Sequence, residues 1–181
     1  MSIALPSIDT DAGIIVRVLI AETRNPAYAS YDEEAAKRSF RAMRATVDHR
    51  LHNNPGLFGA PGAKTYADVI CAPQQFAGFT KNASGTPTLS DDVQELIDEV
   101  LEKASTGAPG RYAKFVQNAL DAAKGAVDDP FAKVTDVGGT AVTGGVYGWR
   151  TLGSSAPGGR LIAIPAPEGV ILHNQFFALT A

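Results

Sequence analysis

Glu22 ends the apolar run "RVLIAE" and stands four residues before Pro26. It lies seven, four and three residues beyond Ile15, Val18 and Leu19, so on a helix it projects from the stripe that those side chains bury. A carboxyl there is partly desolvated and faces the negative end of the helix dipole. Both effects penalise the charged form and raise the pKa, which keeps a fraction of the acid protonated near neutrality. Departure of a sugar alkoxide needs such a donor, because the leaving oxygen is too basic to go unprotonated. The bland alternative is a helix-end glutamate paired with an arginine.

Three other groupings could carry chemistry. Cys71 with His173 would make a thiolate–imidazole nucleophile, yet Cys71 sits in the apolar "DVICAPQ", where a free cysteine is ordinarily a small buried hydrophobe. His49 and His52 are three residues apart at a helix end, but two ligands do not make a zinc site. No metal or cofactor is expected, and these rings are read as satisfying terminal helix carbonyls. "VGGTAVTGGVYG" is glycine-rich without the Lys-Ser/Thr and following helix of a phosphate loop, and reads as tight turns between strands.

The elements that must hold these residues follow from periodicity and punctuation. A first helix is expected over residues 11–24, capped by Thr10 or Asp11 and ended by Pro26. A second spans 32–52, with Ala36, Phe40, Met43, Val47 and Leu51 on one stripe and Lys37, Arg41, Arg44 and Asp48 opposite. "NNPGLFGAPGAKT" reads as loop, "YADVICAPQQF" as a short helix or turn, and "TKNASGTPTLS" as another loop. Ser90 opens a third helix striped by Val93, Leu96, Ile97, Val100 and Leu101. "TGAPG" breaks it, and a fourth helix buries Tyr112, Phe115, Val116, Ala119, Leu120 and Ala123 before Gly125. Beyond residue 126, β-branched and aromatic segments between Gly and Pro clusters predict short antiparallel strands. Helices first and strands last is an α+β pattern.

The chain has 181 residues, enough for one domain with its own core. A net charge of −3 argues against nucleic-acid binding, which needs a basic surface. The single cysteine cannot form an internal disulfide. No apolar run approaches the ~20 residues of a membrane span, so no membrane insertion is expected. "MSIALPSIDTDAG" lacks the basic and apolar regions of a secretory leader, so synthesis is expected in the cytoplasm without a Sec signal peptide.

"VRVLIAETRNPAY", a helix ending "ATVDHRL" and "TYADVICAPQQFAGF" together resemble the bacterial cell-wall hydrolase family that includes the spore cortex-lytic enzymes, lysozyme-like lytic transglycosylases. In that family a helix ends in Glu-Ala-Arg-Gly, the next finishes with Asn-Arg, and a later segment carries an aspartate–valine pair followed by Gln-Phe. Glu22 and Arg24 match the first motif, Arg50 the second, and Asp68, Val69, Gln75 and Phe76 the third. "GGVYGW" and "GVILHNQFFAL" are similar to the closing part with its Gly-x-His-x-Phe strand, which His173 and Phe176 fit. Thr23 and Asn25 replace the usual Ala and Gly, and His49 stands where Asn is usual. Residues 80–140 match nothing in the family, and 80–125 read as an inserted helical pair.

The resemblance implies a single lysozyme-like catalytic domain over 1–181, mainly helical with a small C-terminal antiparallel β part. It implies cleavage of peptidoglycan between MurNAc and GlcNAc by Glu22 alone. The acid protonates the bridging oxygen, then takes the proton of the MurNAc 6-hydroxyl as that group attacks C1 to give a 1,6-anhydro end. A water-using muramidase would want a second carboxylate, for which Asp32, Asp48 and Asp68 are candidates. Substrate contacts fall to Gln75, which would hydrogen-bond the sugar, to Phe76, which would pack on a sugar face unless it is core, to Tyr147, whose ring would reach outward from a strand, and to His173. Trp149 reads as packing. Action is expected in the periplasm or cell wall, reached as an endolysin or as an injected bacteriolytic toxin with a cognate immunity protein. The competing classes are a cysteine-dependent amidase built on Cys71 and His173, and a non-catalytic lysozyme-like binding module.

Overall fold

A computed structural model describes residues 3–106 and 110–181. Helix α1 (Asp11–Glu22) begins where the Thr10 hydroxyl accepts the Gly13 N–H at 3.1 Å. Its residues Ile14, Ile15, Val16, Val18, Leu19 and Ile20 are all buried, so it is apolar nearly all round rather than along one stripe. A helix of that kind belongs in the middle of a fold. Around it pack α2 (Glu33–His52), α3 (Tyr66–Ile70), α4 (Asp91–Thr106) and α5 (Arg111–Lys124). Asp32 caps α2 by accepting the Ala35 N–H at 2.7 Å.

Helix α1 stops two residues short of the expected end at Arg24. Thr23 is already extended, and the Asn25 side chain accepts the Ala27 N–H at 2.9 Å, which starts a turn instead. Most of "TGAPG" lies outside the described residues. The helical pair α4–α5 completes the same core as α1: Phe115 is fully buried 5.2 Å from the Phe40 ring. The loop from Asn53 contains a 3-10 turn at Pro55–Phe58.

The segment expected as a loop after Phe79 is a hairpin, β1 (Phe79–Lys81) with β2 (Pro87–Leu89). Asn82 builds its turn, because Oδ1 accepts the N–H groups of Ser84 and Thr86, each at 3.0 Å. The C-terminal part is antiparallel throughout. Strands β3 (Asp136–Val137) and β4 (Thr140–Ala141) form a tight hairpin around Gly138 and Gly139, both at positive φ. A second sheet is centred on β8 (Asn174–Leu179). Strand β5 (Gly148–Thr151) flanks one side of β8; β7 (Val170–Ile171) and then β6 (Leu161–Ala163) flank the other. The fold is therefore mixed, a helical body with small antiparallel sheets, consistent with α+β. Among the described residues no helix is long and apolar enough to cross a membrane.

Candidate active site

Glu22 is the last residue of α1, and the sheet closes over that helix end. Asn174, at the start of β8, donates from Nδ2 to the Glu22 carbonyl at 3.1 Å and so satisfies a terminal helix carbonyl. Asn174 is itself buried. We expect Asn174→Ala to destabilise the fold by about 1 kcal/mol, the net worth of a typical hydrogen bond. Urea unfolding checks this, and an unchanged midpoint would mean that the helix end is held by other contacts.

Two cavities share Glu22 and Thr151 as wall residues. The larger, about 530 Å³, is also lined by Arg50, Phe58, Gln75, Trp149 and Leu161. The smaller, about 280 Å³, is lined by Arg24, Tyr28, His173 and Asn174. Glu22 is the only carboxylate among the residues lining either one.

Burial pushes the Glu22 pKa up, because it penalises the charged form. The Trp149 indole works the other way: Nε1–H donates to Glu22 Oε2 at 3.3 Å and favours the carboxylate. Burial is the stronger influence. The indole bond is the one side-chain hydrogen bond that the Glu22 carboxyl makes among the described residues. In Trp149→Phe the opposing hydrogen bond is gone, so the Glu22 pKa moves further up. The alkaline limb of any Glu22-dependent rate profile then shifts to higher pH, and a limb that stays put would show that the indole does not touch the titration.

Trp149 is held in an aromatic cluster of tilted rings, 5.2 Å from Phe76 and 6.4 Å from Phe176, its cross-strand partner on β8. It orients the acid as well as packing, a role the sequence reading did not give it. The contact joins residues 127 positions apart, across a strand pairing that no local pattern encodes.

Arg50 is the second residue whose role the sequence understates. It is 9% exposed and has no carboxylate partner among the described residues. Its Nε donates to the Tyr147 carbonyl at 2.8 Å, its Nη1 to Gln75 Oε1 at 2.7 Å, and its plane lies over the rings of Phe58 and Phe76. Burial brings its pKa down to about 10, which leaves it charged at neutral pH.

The residues expected to contact substrate divide. Gln75 lines the larger cavity with its oxygen fixed by Arg50, which leaves the amide nitrogen for a ligand. His173 lines the smaller cavity, at the exposed turn between β7 and β8 rather than on a strand. Phe76 is only 7% exposed and lies under Trp149, so it is core and supports the site from below. Tyr147 does not reach outward. It is 4% exposed between the rings of His49 and Phe58, and its hydroxyl accepts from Asn53 Nδ2 at 3.3 Å.

The other acids stand elsewhere. Asp48 accepts the Tyr66 hydroxyl at 2.6 Å, and Asp32 is occupied as a cap. Asp68 forms a capping box with Thr65 and an ion pair with Lys81. Burial acts to raise its pKa, but Lys81 and the N–H groups of Lys64 and Thr65 outweigh it and hold the carboxyl well below the usual range. It is an anchor with no proton to give.

Cys71 closes α3 and lines a different cavity from His173, and burial pushes its thiol up, against thiolate formation. His49 donates from Nδ1 to the Val146 carbonyl at 2.9 Å rather than to its own helix, whereas His52 does bind its own, at Asp48, at 3.0 Å. Comparison with family models, with curated proteins and with solved structures finds no match to this chain.

Proposed function

We propose that this protein cleaves the glycan strand of peptidoglycan between MurNAc and GlcNAc as a lytic transglycosylase, with Glu22 as its one catalytic acid. The observation that carries the reading is that the one acidic residue lining either of two neighbouring cavities, Glu22, lines both and has a raised pKa. A lone acid suits a reaction in which the same group first protonates the bridging oxygen and then deprotonates the MurNAc 6-hydroxyl as C1 is attacked. Direct hydrolysis would want a second carboxylate across the sugar, and Asp32, Asp48 and Asp68 are engaged away from both cavities.

The short motifs at Glu22–Arg24, Arg50 and Gln75–Phe76 support a lysozyme-like reading of the fold. So does the placing of an acid where a core helix meets a small antiparallel sheet. On this reading the protein acts in the periplasm or cell wall, as an endolysin or as a bacteriolytic toxin. A cognate immunity protein would block the groove at Glu22 in the second case.

The test is digestion of purified peptidoglycan followed by mass analysis of the fragments. We expect 1,6-anhydro sugar ends. Reducing ends would mean a muramidase, shortened peptide stems an amidase, and an unchanged polymer a binding module.

A further inference from the structure

We infer that Arg50 is a receptor for a carboxylate carried on a sugar, so that the larger arm of the groove takes an acidic sugar unit. The inference deepens the glycan reading above and rests on it for the ligand being a sugar. It starts from a charge left without a counter-ion. Arg50 is only 9% exposed, yet the fixed partners of its guanidinium are a backbone carbonyl and a neutral amide. Folding has taken a cation out of water without giving it an anion, and a buried charge of that kind is costly unless something pairs with it.

The guanidinium is also oriented. Nε and Nη1 are engaged by Tyr147 and Gln75, and the plane is held over Phe58 and Phe76, so the group cannot rotate. Nη2 alone has no partner among the described residues, and Arg50 lines the 530 Å³ cavity that reaches Glu22. The approach to Nη2 is kept open by a missing side chain: a Cβ on Gly148 would lie 3.1 Å from it. Arg150 lines the same cavity, and the one acid there is Glu22, which burial favours in its neutral form. The cavity is therefore cationic, with one fixed donor facing inward, and a carboxylate is the planar anion that an arginine edge fits.

Two sugar sources present that group. One is the lactyl ether of a muramic acid whose peptide stem has been removed, and the other is a uronic acid. In the first case the reaction supplying the substrate is hydrolysis of the amide between the lactyl group and the stem.

The experiment is a binding titration of the wild-type protein, by calorimetry or by NMR, with N-acetylmuramic acid, D-glucuronic acid and neutral N-acetylglucosamine. We expect at least one acidic sugar to bind tenfold or more tighter than N-acetylglucosamine, with the margin shrinking as salt is added. Muramic acid alone preferred identifies the lactyl carboxylate, and both preferred identifies a sugar carboxylate in general. Arg50→Gln should erase the margin between the acidic sugars and N-acetylglucosamine. Should that variant not fold, the wild-type comparison decides by itself. Equal affinity for all three sugars, or no binding of any, overturns the inference. Carboxylate-selective binding without peptidoglycan cleavage would sink the transglycosylase reading and keep this one. Cleavage without carboxylate selectivity would do the reverse.

Discussion

Glu22→Gln is expected to abolish glycan cleavage, with a loss of about 10³-fold or more, while leaving the fold intact. Positioned acid–base catalysis is worth ~10²–10⁴-fold, and here one carboxyl is assigned both the acid and the base step, so no partner remains to supply residual turnover. The glutamine is nearly the same shape and can still accept the Trp149 indole hydrogen bond. Its effect on stability has a definite sign. A pKa raised in the folded state means that the native protein binds the proton more tightly than the unfolded chain does. The wild type therefore loses stability as pH rises from the ordinary glutamate range through the folded-state pKa, and the neutral amide does not. At neutral pH the variant should melt at the wild-type temperature or slightly above it. Release of fragments from purified peptidoglycan, with thermal melting alongside, measures both. Unimpaired release would remove Glu22 from the chemistry.

Phe176→Ala is expected to have the largest effect on stability, about 3–5 kcal/mol, as for other buried Phe→Ala changes. Phe176 is fully buried in the central strand β8, with its ring 5.6 Å from Phe131 on one side and 6.4 Å from Trp149 on the other. Truncation opens a cavity where the sheet meets the helical body, and it removes the backing of the indole that orients Glu22. Activity should fall too, but by far less than in Glu22→Gln, because the acid itself remains. Urea unfolding checks the first effect and fragment release the second. A loss below 1 kcal/mol would mean that the sheet is not packed on the helices through this ring.

What was legible in the sequence tracks how local the causes were. Helix α2 was readable because its stripe repeats over 20 residues and Asp32 marks its start. Glu22 was readable because three apolar neighbours set its face and Pro26 limits the helix. The hairpin β1–β2 is not legible because each strand is only three residues long with a single buried residue, Phe79 or Pro87, too short for an apolar alternation to show, while its turn depends on one asparagine side chain. Tyr147 looked able to reach outward from a run of small residues, yet the surfaces that bury it, His49 and Phe58, come from 98 and 89 positions earlier in the chain. Trp149 and Arg50 acquire their roles in the same non-local way, through strand pairing and through a cavity assembled from four separate segments. The place of Glu22 at the end of a buried helix is legible in the sequence; the residues that surround its carboxyl needed the fold.

Everything proposed for the groove requires that Glu22 hold its proton more firmly than an ordinary glutamate. The most direct measurement is the pH titration of the Glu22 side-chain carboxyl carbon by NMR in the free protein, with Glu22→Gln identifying the resonance. The account predicts a midpoint above the usual glutamate value of 4.5, moving higher still in Trp149→Phe. A midpoint at or below that value would place the carboxyl in contact with water and contradict the assignment of Glu22 as proton donor.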